Sequence, residues 1–502
     1  MSLLVEEWET KADEDTFVIH LREGVQWSDG SDFTSADVVS TFDVGRLFKW
    51  TVFKYVDEVT ALDDNTVEFH MAEPSTVVER YVLAERIRSR ATYGELADRV
   101  AELIESGADD ESDEWNALVQ EVTEFRPEEL IVTGPFNIDM NSVTEAQLTL
   151  VKNPESYLAD TVRFDSVVLY NGETPVVTPL VLAGDVDYAT HGFPPATESA
   201  FAEQGLRIVR APTYSGPALF FNHDLYPLNL PEVRQAIAYA INREENGTVS
   251  LGDSGRAVEM MAGLSDNLVP LWLSEDQIAE LNTYEYDPAQ GEELLTGIGF
   301  TRGDDGAWID DQGNPLEFEL TAPAEFADWS AAAENASEQL NNFGIRTTVR
   351  GVQFQQHLSD VNQGNFEIAT RAWGIGSNPH PHFAYTQNLF THNFVASTEG
   401  AGMNFPMQQE VNGEEVDFEQ LVVQSAEGLD PEAQEENVAA LAKAFNEILP
   451  VVPLWERYGN NPVLETRVGG WPADNDPLYN NAVYGDNFVT MWILDGTLGP
   501  AQ

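Results

Sequence analysis

The sequence predicts an α/β protein with at least two lobes. Segments with period-2 apolar alternation and segments with helical periodicity interchange along all 502 residues, without an internal repeat. The chain is 42% hydrophobic and 10% aromatic, which is enough for sizeable cores, and at roughly 100 to 200 residues per domain its length accommodates about three domains.

FVIHL (17–21) and TVEFHM (66–71) alternate as strands. Between them Thr34, with Asp37 three residues on, has the spacing of a helix capping box, which gives Asp37 a structural role. Residues 76–125 read as helices, and strands return at 133–140, 147–152 and 166–170. After a helix, VRAPTYSGPALFFN (209–222) is extended again. Pro231 opens the helix PEVRQAIAYAINREE, with Val233, Ile237, Ala240 and Ile241 on one face. A further helix, 288–298, stops at Gly299, and 303–322 reads as a hairpin-like pair with Leu316, Phe318 and Leu320 alternating. The helix over 329–343 stops at Gly344, followed by strands at 345–349 and 366–373. Residues 376–430, rich in Asn, Gly, Pro and Gln, are expected as loops, and 431–449 as a helix leading into PVVPLWERY.

Charge excludes several functions. The chain carries 86 Asp and Glu against 25 Lys and Arg, a net charge of −61. A polyanion would be repelled, so nucleic-acid binding is excluded and an anionic membrane surface disfavoured. The acid is spread evenly over an otherwise globular composition with few lysines. That pattern suits molar salt, where the Debye length is about 3 Å and self-repulsion is screened, so an extreme halophile is the expected source. There is no cysteine, which removes disulfides, zinc-thiolate sites and thiol nucleophiles together. No run of residues is long and apolar enough to span a membrane, and the first residues lack the features of a signal peptide, so either the protein is cytoplasmic or the natural N-terminus lies upstream.

Few motifs bear chemistry. Gly252-Asp253-Ser254-Gly255 matches the string around the nucleophile of chymotrypsin-like proteases, and a serine hydrolase is the reading of a different class. That fold is all-β and needs a paired His and Asp, so a turn is the expectation. Asp304, Asp305, Asp310, Asp311 and Asn314 resemble a calcium loop without its spacing, and read as turn residues. No nucleotide-binding glycine loop is present, and no cofactor is expected. His380, His382 and His392 lie close together; imidazoles bind transition metals, but a proline between two of them hinders convergence on one ion. The sequons at Asn246 and Asn335 suggest glycosylated exterior positions.

Seven segments in order resemble the family 5 extracellular solute-binding proteins of ABC importers, which include dipeptide-, oligopeptide- and nickel-binding members. They are FVIHLREGVQWSDGSDFTSADVVSTF, TGPFNIDM with LTLVKNPESY, VLAGDVDYA, ALFFNHDLYPLNLPEVRQAIAYAINRE, YDPAQGEELLTGIGF, FGIRTTVRGVQF and LPVVPLWERY. The resemblance implies a class II periplasmic-binding-protein fold: two lobes joined by a hinge, with an extra subdomain in the first lobe. Carried over, the subdomain is 1–130, the first lobe 131–222 with 466–502, and the second lobe 223–465. It also implies a non-enzymatic receptor, monomeric, extracellular and lipid-anchored, in a haloarchaeon. Its partners would be ABC permease and ATPase subunits, and its ligand an oligopeptide or dipeptide, or alternatively a nickel or other metal chelate. Members of the family begin some tens of residues earlier, with a signal, an anchor cysteine and an opening strand.

The resemblance places specificity in TRAWGIGSNPHPHF (370–383). Where the peptide binders have an Asp that pairs with the peptide's amino group, this chain has Gly376. Trp373 is expected to stack on the ligand and Arg371 to pair with a carboxylate. Asn378 and His380 follow in the same segment, Tyr214 and Asn222 would line the hinge side, and His380 and His392 would hold the metal in the chelate alternative.

Overall fold

The computed structural model describes residues 3–109, 112–374, 378–393, 402–481 and 486–501, and the chain divides into two compact units. Unit one comprises Met1–Asn171, Ala426–Asp430 and Met491–Pro500; unit two comprises Gly172–Ser425, Pro431–Thr490 and Ala501–Gln502.

In the first unit, β1 (Val5–Lys11), β2 (Thr16–Leu21), β3 (Val56–Asp63) and β4 (Thr66–Met71) form an antiparallel sheet in the order β1-β2-β4-β3. The apolar alternation of β2 and β4 puts Phe17, Ile19, Val67 and Phe69 in the core, where Phe42 of α1 (Ser35–Leu47) meets Phe69 edge-on at 4.9 Å. Asp37 closes the capping box, accepting the Thr34 N–H at 2.9 Å, and its other oxygen accepts the Arg90 N–H at 2.7 Å. One buried carboxylate thereby joins the starts of two helices. The helical stretch resolves into α2 (Val77–Ala84), α3 (Arg90–Glu105) and α4 (Asp113–Glu124), followed by an antiparallel sheet of β5 (Phe136–Ile138), β6 (Gln147–Lys152) and β7 (Ser166–Tyr170).

The second unit opens with α5 (Thr174–Ala183), α6 (Pro195–Glu203), β8 (Arg207–Val209) and β9 (Ser215–Phe221). The expected single helix from Pro231 is two: α7 (Pro231–Ala240) and α8 (Arg243–Leu251). Ile241 is extended, and Asn242 caps α8 by accepting the Glu245 N–H, so local capping overrides the continuous apolar periodicity. Next come β10 (Gly255–Ala257), α9 (Val269–Trp272), α10 (Glu275–Ala279), α11 (Pro288–Gly297), β11 (Thr301–Arg302) and β12 (Trp308–Ile309). The expected pairing over 303–322 is present only around its turn, where Ile309 bridges Pro315 antiparallel and the Leu316 N–H donates to the Trp308 carbonyl at 2.8 Å. β11 and β12 form the hairpin, and β13 (Glu317–Pro323) leaves it to run parallel to β14 (Arg346–Val352), which follows α12 (Ala327–Phe343). Gly344 ends α12 in the left-handed conformation, as expected.

After α13 (Phe354–Asn362), β15 (Ile368–Gly374) completes the core of a five-stranded sheet with the order β14-β13-β15-β9, closed on the far side of β9 by 451–453. β9 is antiparallel to both neighbours and buried along its whole length, as a central strand covered on both faces must be. The expected loop region is partly structured: α14 (Pro381–Leu389), the hairpin β16 (Gln408–Val411) with β17 (Glu414–Asp417), and α15 (Phe418–Gln424). Asn412 and Gly413 both have positive φ, the two-residue turn that matches strand twist. Then come α16 (Pro431–Ile448), β18 (Val451–Pro453) and β19 (Trp455–Arg457), which pairs with β10.

The scarce cations hold the core of this unit. Arg234 on α7 is fully buried and donates to the carbonyls of Leu228, Ile448 and Leu449 at the end of α16. Arg243 at the start of α8 likewise donates to the Val258, Thr283 and Tyr284 carbonyls. The two sequons correct the exterior expectation: Asn246 and Asn335 are buried where α8 packs on α12, and the Asn246 amide donates to Asn335 Oδ1 at 3.0 Å. No glycan fits there in the folded chain.

Candidate functional site

The C-terminal end of β15 and its neighbour β9 form the scaffold of the expected site. Trp373 lies opposite Gly216, is fully buried, and donates its indole N–H to the Trp455 carbonyl at 3.2 Å. Only glycine fits at 216, because a Cβ there would sit 2.0 Å from that carbonyl oxygen. Gly374 has φ +63, and a Cβ there would lie 2.5 Å from the Tyr214 carbonyl oxygen, so this position too requires glycine. Tyr214 itself has φ +56, and its hydroxyl donates to the Asn480 carbonyl at 2.6 Å. Trp373 and Tyr214 are thus brought together around one backbone crossing.

Arg371 and His392 are joined to each other. Nη2 of Arg371 donates to Nε2 of His392 at 2.9 Å, and Nδ1 of the same ring donates to Asn362 Oδ1 at 2.9 Å. A guanidinium has only donors, so the ring must be neutral, with its Nε2 lone pair occupied. Burial, then Arg371, then His357 push the His392 value down to about 3. That lone pair is the one a metal would need.

The remaining expected residues are dispersed. His380 caps α14, with Nδ1 accepting the His382 N–H at 3.2 Å and its ring edge-on to Trp272. His382 donates from Nδ1 to the Val422 carbonyl. Asn378 is half-buried, and its carbonyl accepts the His380 N–H at 2.7 Å. Asn222 donates to the Gly364 and Phe366 carbonyls at 3.0 Å each, which fixes the loop entering β15. Gly376 lies outside the described residues. Among the described residues no group of three or more His, Cys, Asp or Glu is placed to hold a metal ion. Ser254 is fully buried with its hydroxyl donating to the Gly459 carbonyl, so it is not presented as a nucleophile.

The sequence reading overlooked Glu456. It stands on β19, directly opposite Arg256 of β10, and is 3% exposed. Ser265 donates to its Oε2 at 2.8 Å and Asn267 to its Oε1 at 2.9 Å, and Asn267 also bonds the Tyr458 hydroxyl at 2.7 Å. Arg256 lies over the Tyr458 ring, 3.7 Å from its centroid. Burial pushes the carboxyl up to about 7, against the lowering effect of the Ser265 and Asn267 hydrogen bonds. The signal available in sequence was a single acidic residue inside the run PVVPLWERY.

Comparison with known proteins places these features. The model of the family described as bacterial extracellular solute-binding proteins, family 5 Middle, matches residues 1–394. The Dipeptide-binding protein of Escherichia coli (strain K12) is 24% identical over 445 residues, covering 80% of this chain and 71% of that protein. Across the first three such relatives the chain spans between 61% and 71% of the other protein's length. Among solved structures, the periplasmic oligopeptide-binding protein of an oligopeptide ABC transporter from Thermotoga maritima superposes with a TM-score of 0.80 at 19% identity, covering 99% of this chain and 90% of that one. NikZ from Campylobacter jejuni, solved in complex with Ni(L-His), superposes with a TM-score of 0.74 at 19% identity, covering 98% and 90%. The fold is therefore the mixed α/β, two-lobe fold of the periplasmic binding proteins. With more than three quarters of its length matched, the chain belongs to the family 5 bacterial extracellular solute-binding proteins.

Proposed function

We propose that this chain is the substrate-binding receptor of an ABC importer, capturing a peptide-like solute between two lobes and delivering it to a membrane permease and its ATPase. The observation that carries the reading is the family match over residues 1–394. It works as a monomer at the outer cell surface, lipid-anchored, in a high-salt environment, and it turns nothing over. Residues 1–130 form the extra subdomain, 131–222 with 466–502 the first lobe, and 223–465 the second.

The ligand wall is built on the end of β15 and the segment after it, with Trp373, Arg371, Asn378 and His380, and on the Tyr214 and Asn222 side of β9. The tight backbone crossing that links Trp373 to Tyr214 supports this placement. Closure of the lobes on the solute follows from preferential binding to the closed state. The Arg371 hydrogen bond to His392 favours peptide over metal chelate, since it occupies the ring nitrogen that a metal would need.

Calorimetry in about 2 M KCl, where surface repulsion is screened, tests the reading with a tripeptide mixture, Ni²⁺, and Ni²⁺ plus free histidine. Peptide binding unaffected by His392→Ala is expected. Binding of the nickel–histidine mixture alone, abolished by that substitution, would establish the chelate reading instead. Hydrolysis of peptides or chromogenic esters that stops with Ser254→Ala would refute the receptor.

A further inference from the structure

The peptide reading leaves one chemical requirement open. Position 376 carries no carboxylate to receive a ligand ammonium, and burying an ammonium unpaired is costly. A buried carboxylate held by neutral donors stands elsewhere in the same unit, at Glu456.

We propose that Glu456, framed by Ser265, Asn267, Tyr214 and Tyr458, is the anchor for a primary ammonium group of the ligand. The two side chains that donate to its carboxylate, the Ser265 hydroxyl and the Asn267 amide, are both neutral. Ser265 and Asn267 each donate to a different oxygen, and a carboxylate has lone pairs for about four hydrogen bonds, so capacity for an ammonium remains. The cation best placed to neutralise it is Arg256, directly across the antiparallel pair, where opposed side chains share a face. Its guanidinium lies on the Tyr458 ring instead. The adjacent Arg457 projects to the other face of β19 and donates to the Thr190 carbonyl. The surrounding acceptors match the three N–H groups of an ammonium: Glu456, the Asn267 carbonyl oxygen and the phenol of Tyr458. The carbonyl of Trp455, the residue before Glu456 on β19, accepts the Trp373 indole N–H at 3.2 Å, so the anchor adjoins the ligand wall; burial, and then the Glu456 charge, raise the pKa of the Tyr214 phenol.

The inference rests on the receptor reading but does not require the ligand to be a peptide. Titration calorimetry in about 2 M KCl would compare wild type with Glu456→Gln, using tripeptides with a free amino terminus, the same peptides N-acetylated, and cadaverine. Glutamine keeps the shape and removes the charge, so free-amine peptides are expected to bind about 10- to 100-fold more weakly to the variant. Acetylated peptides should bind both forms equally. Glu456→Asp, which keeps the charge but withdraws it by one methylene, should also weaken free-amine binding selectively, and it serves if the glutamine variant does not fold. Free-amine binding within about two-fold of wild type in either folded variant would overturn the anchor, a loss well below the range for a charged hydrogen bond. Cadaverine binding that depends on Glu456, with no peptide bound, would support the anchor while refuting the peptide reading. Binding of none of the three probes to wild type would refute both.

Discussion

Arg371 and His392 share a hydrogen bond of 2.9 Å in which the guanidinium donates and the imidazole accepts. The pair locks the ring in its neutral form, and His357, bonded through Nε2 to the Thr370 carbonyl, is buried beside it. The values in the folded protein are about 3 for His392 and about 4 for His357, both below the ordinary 6.5. Stability from such depressed histidines is present above pH 6.5 and is lost as pH falls towards the folded values. Between pH 6.5 and about 4.5, before carboxylates dominate, each should contribute up to about 1.4 kcal/mol per pH unit. Denaturant unfolding across that range at fixed chloride should show this slope in wild type and a shallower one in His392→Gln.

Glu456 predicts the opposite slope. Its folded value of about 7 lies above the ordinary 4.5, so its stabilising contribution is complete below pH 4.5 and is lost as pH rises through 7. Without ligand, Glu456→Gln should therefore be more stable than wild type at pH 8, by up to about 3 kcal/mol, and nearly equal to it at pH 4.5. Matched unfolding curves at the two pH values check the sign.

Asn246 connects two helices and a strand: it donates to the Ala332 carbonyl and to Asn335, and accepts the Trp455 indole N–H at 3.1 Å. Asn246→Ala would strand that buried indole donor, while Asn335 Oδ1 keeps the Gln339 amide, at a cost of about 1–3 kcal/mol. Intact-mass measurement of protein from a glycosylating host should find neither Asn246 nor Asn335 modified.

The net charge of −61 predicts a steep salt dependence. The melting temperature should rise between about 0.1 M and 2 M KCl, as the Debye length shortens from about 10 Å to a few Å. Chloride is the right anion, because sulfate strengthens apolar burial by itself. A flat profile would contradict the high-salt assignment.

What could be read in the sequence was whatever local chemistry determines. The Thr34 and Asp37 cap, the Gly344 stop and the alternation of β2 and β4 each fix their own conformation within a few residues. The departures arise where two local signals compete or where distance decides. Asn242 interrupts an apolar period that continues across it, and Asn412-Gly413 is a hairpin turn hidden in a polar stretch. β13 exchanges a neighbouring strand for a distant parallel one. At the site, side-chain type marked Trp373 and Arg371. That Arg371 is bonded to a ring 21 positions away follows only from tertiary packing, as does the set of neutral donors around Glu456.

The bonding of Arg234 has a consequence for how this protein would come apart. Its charge rests on the dipoles of three peptide carbonyls, out of reach of dissolved ions, whereas the surface acids act on each other through solvent. Dilution of salt therefore strains the periphery and leaves the junction of α7 and α16 untouched. Loss of structure on desalting would proceed inward from the acidic shell, and the last intact element would be a cation clasped by backbone, indifferent to the very variable that undoes the rest.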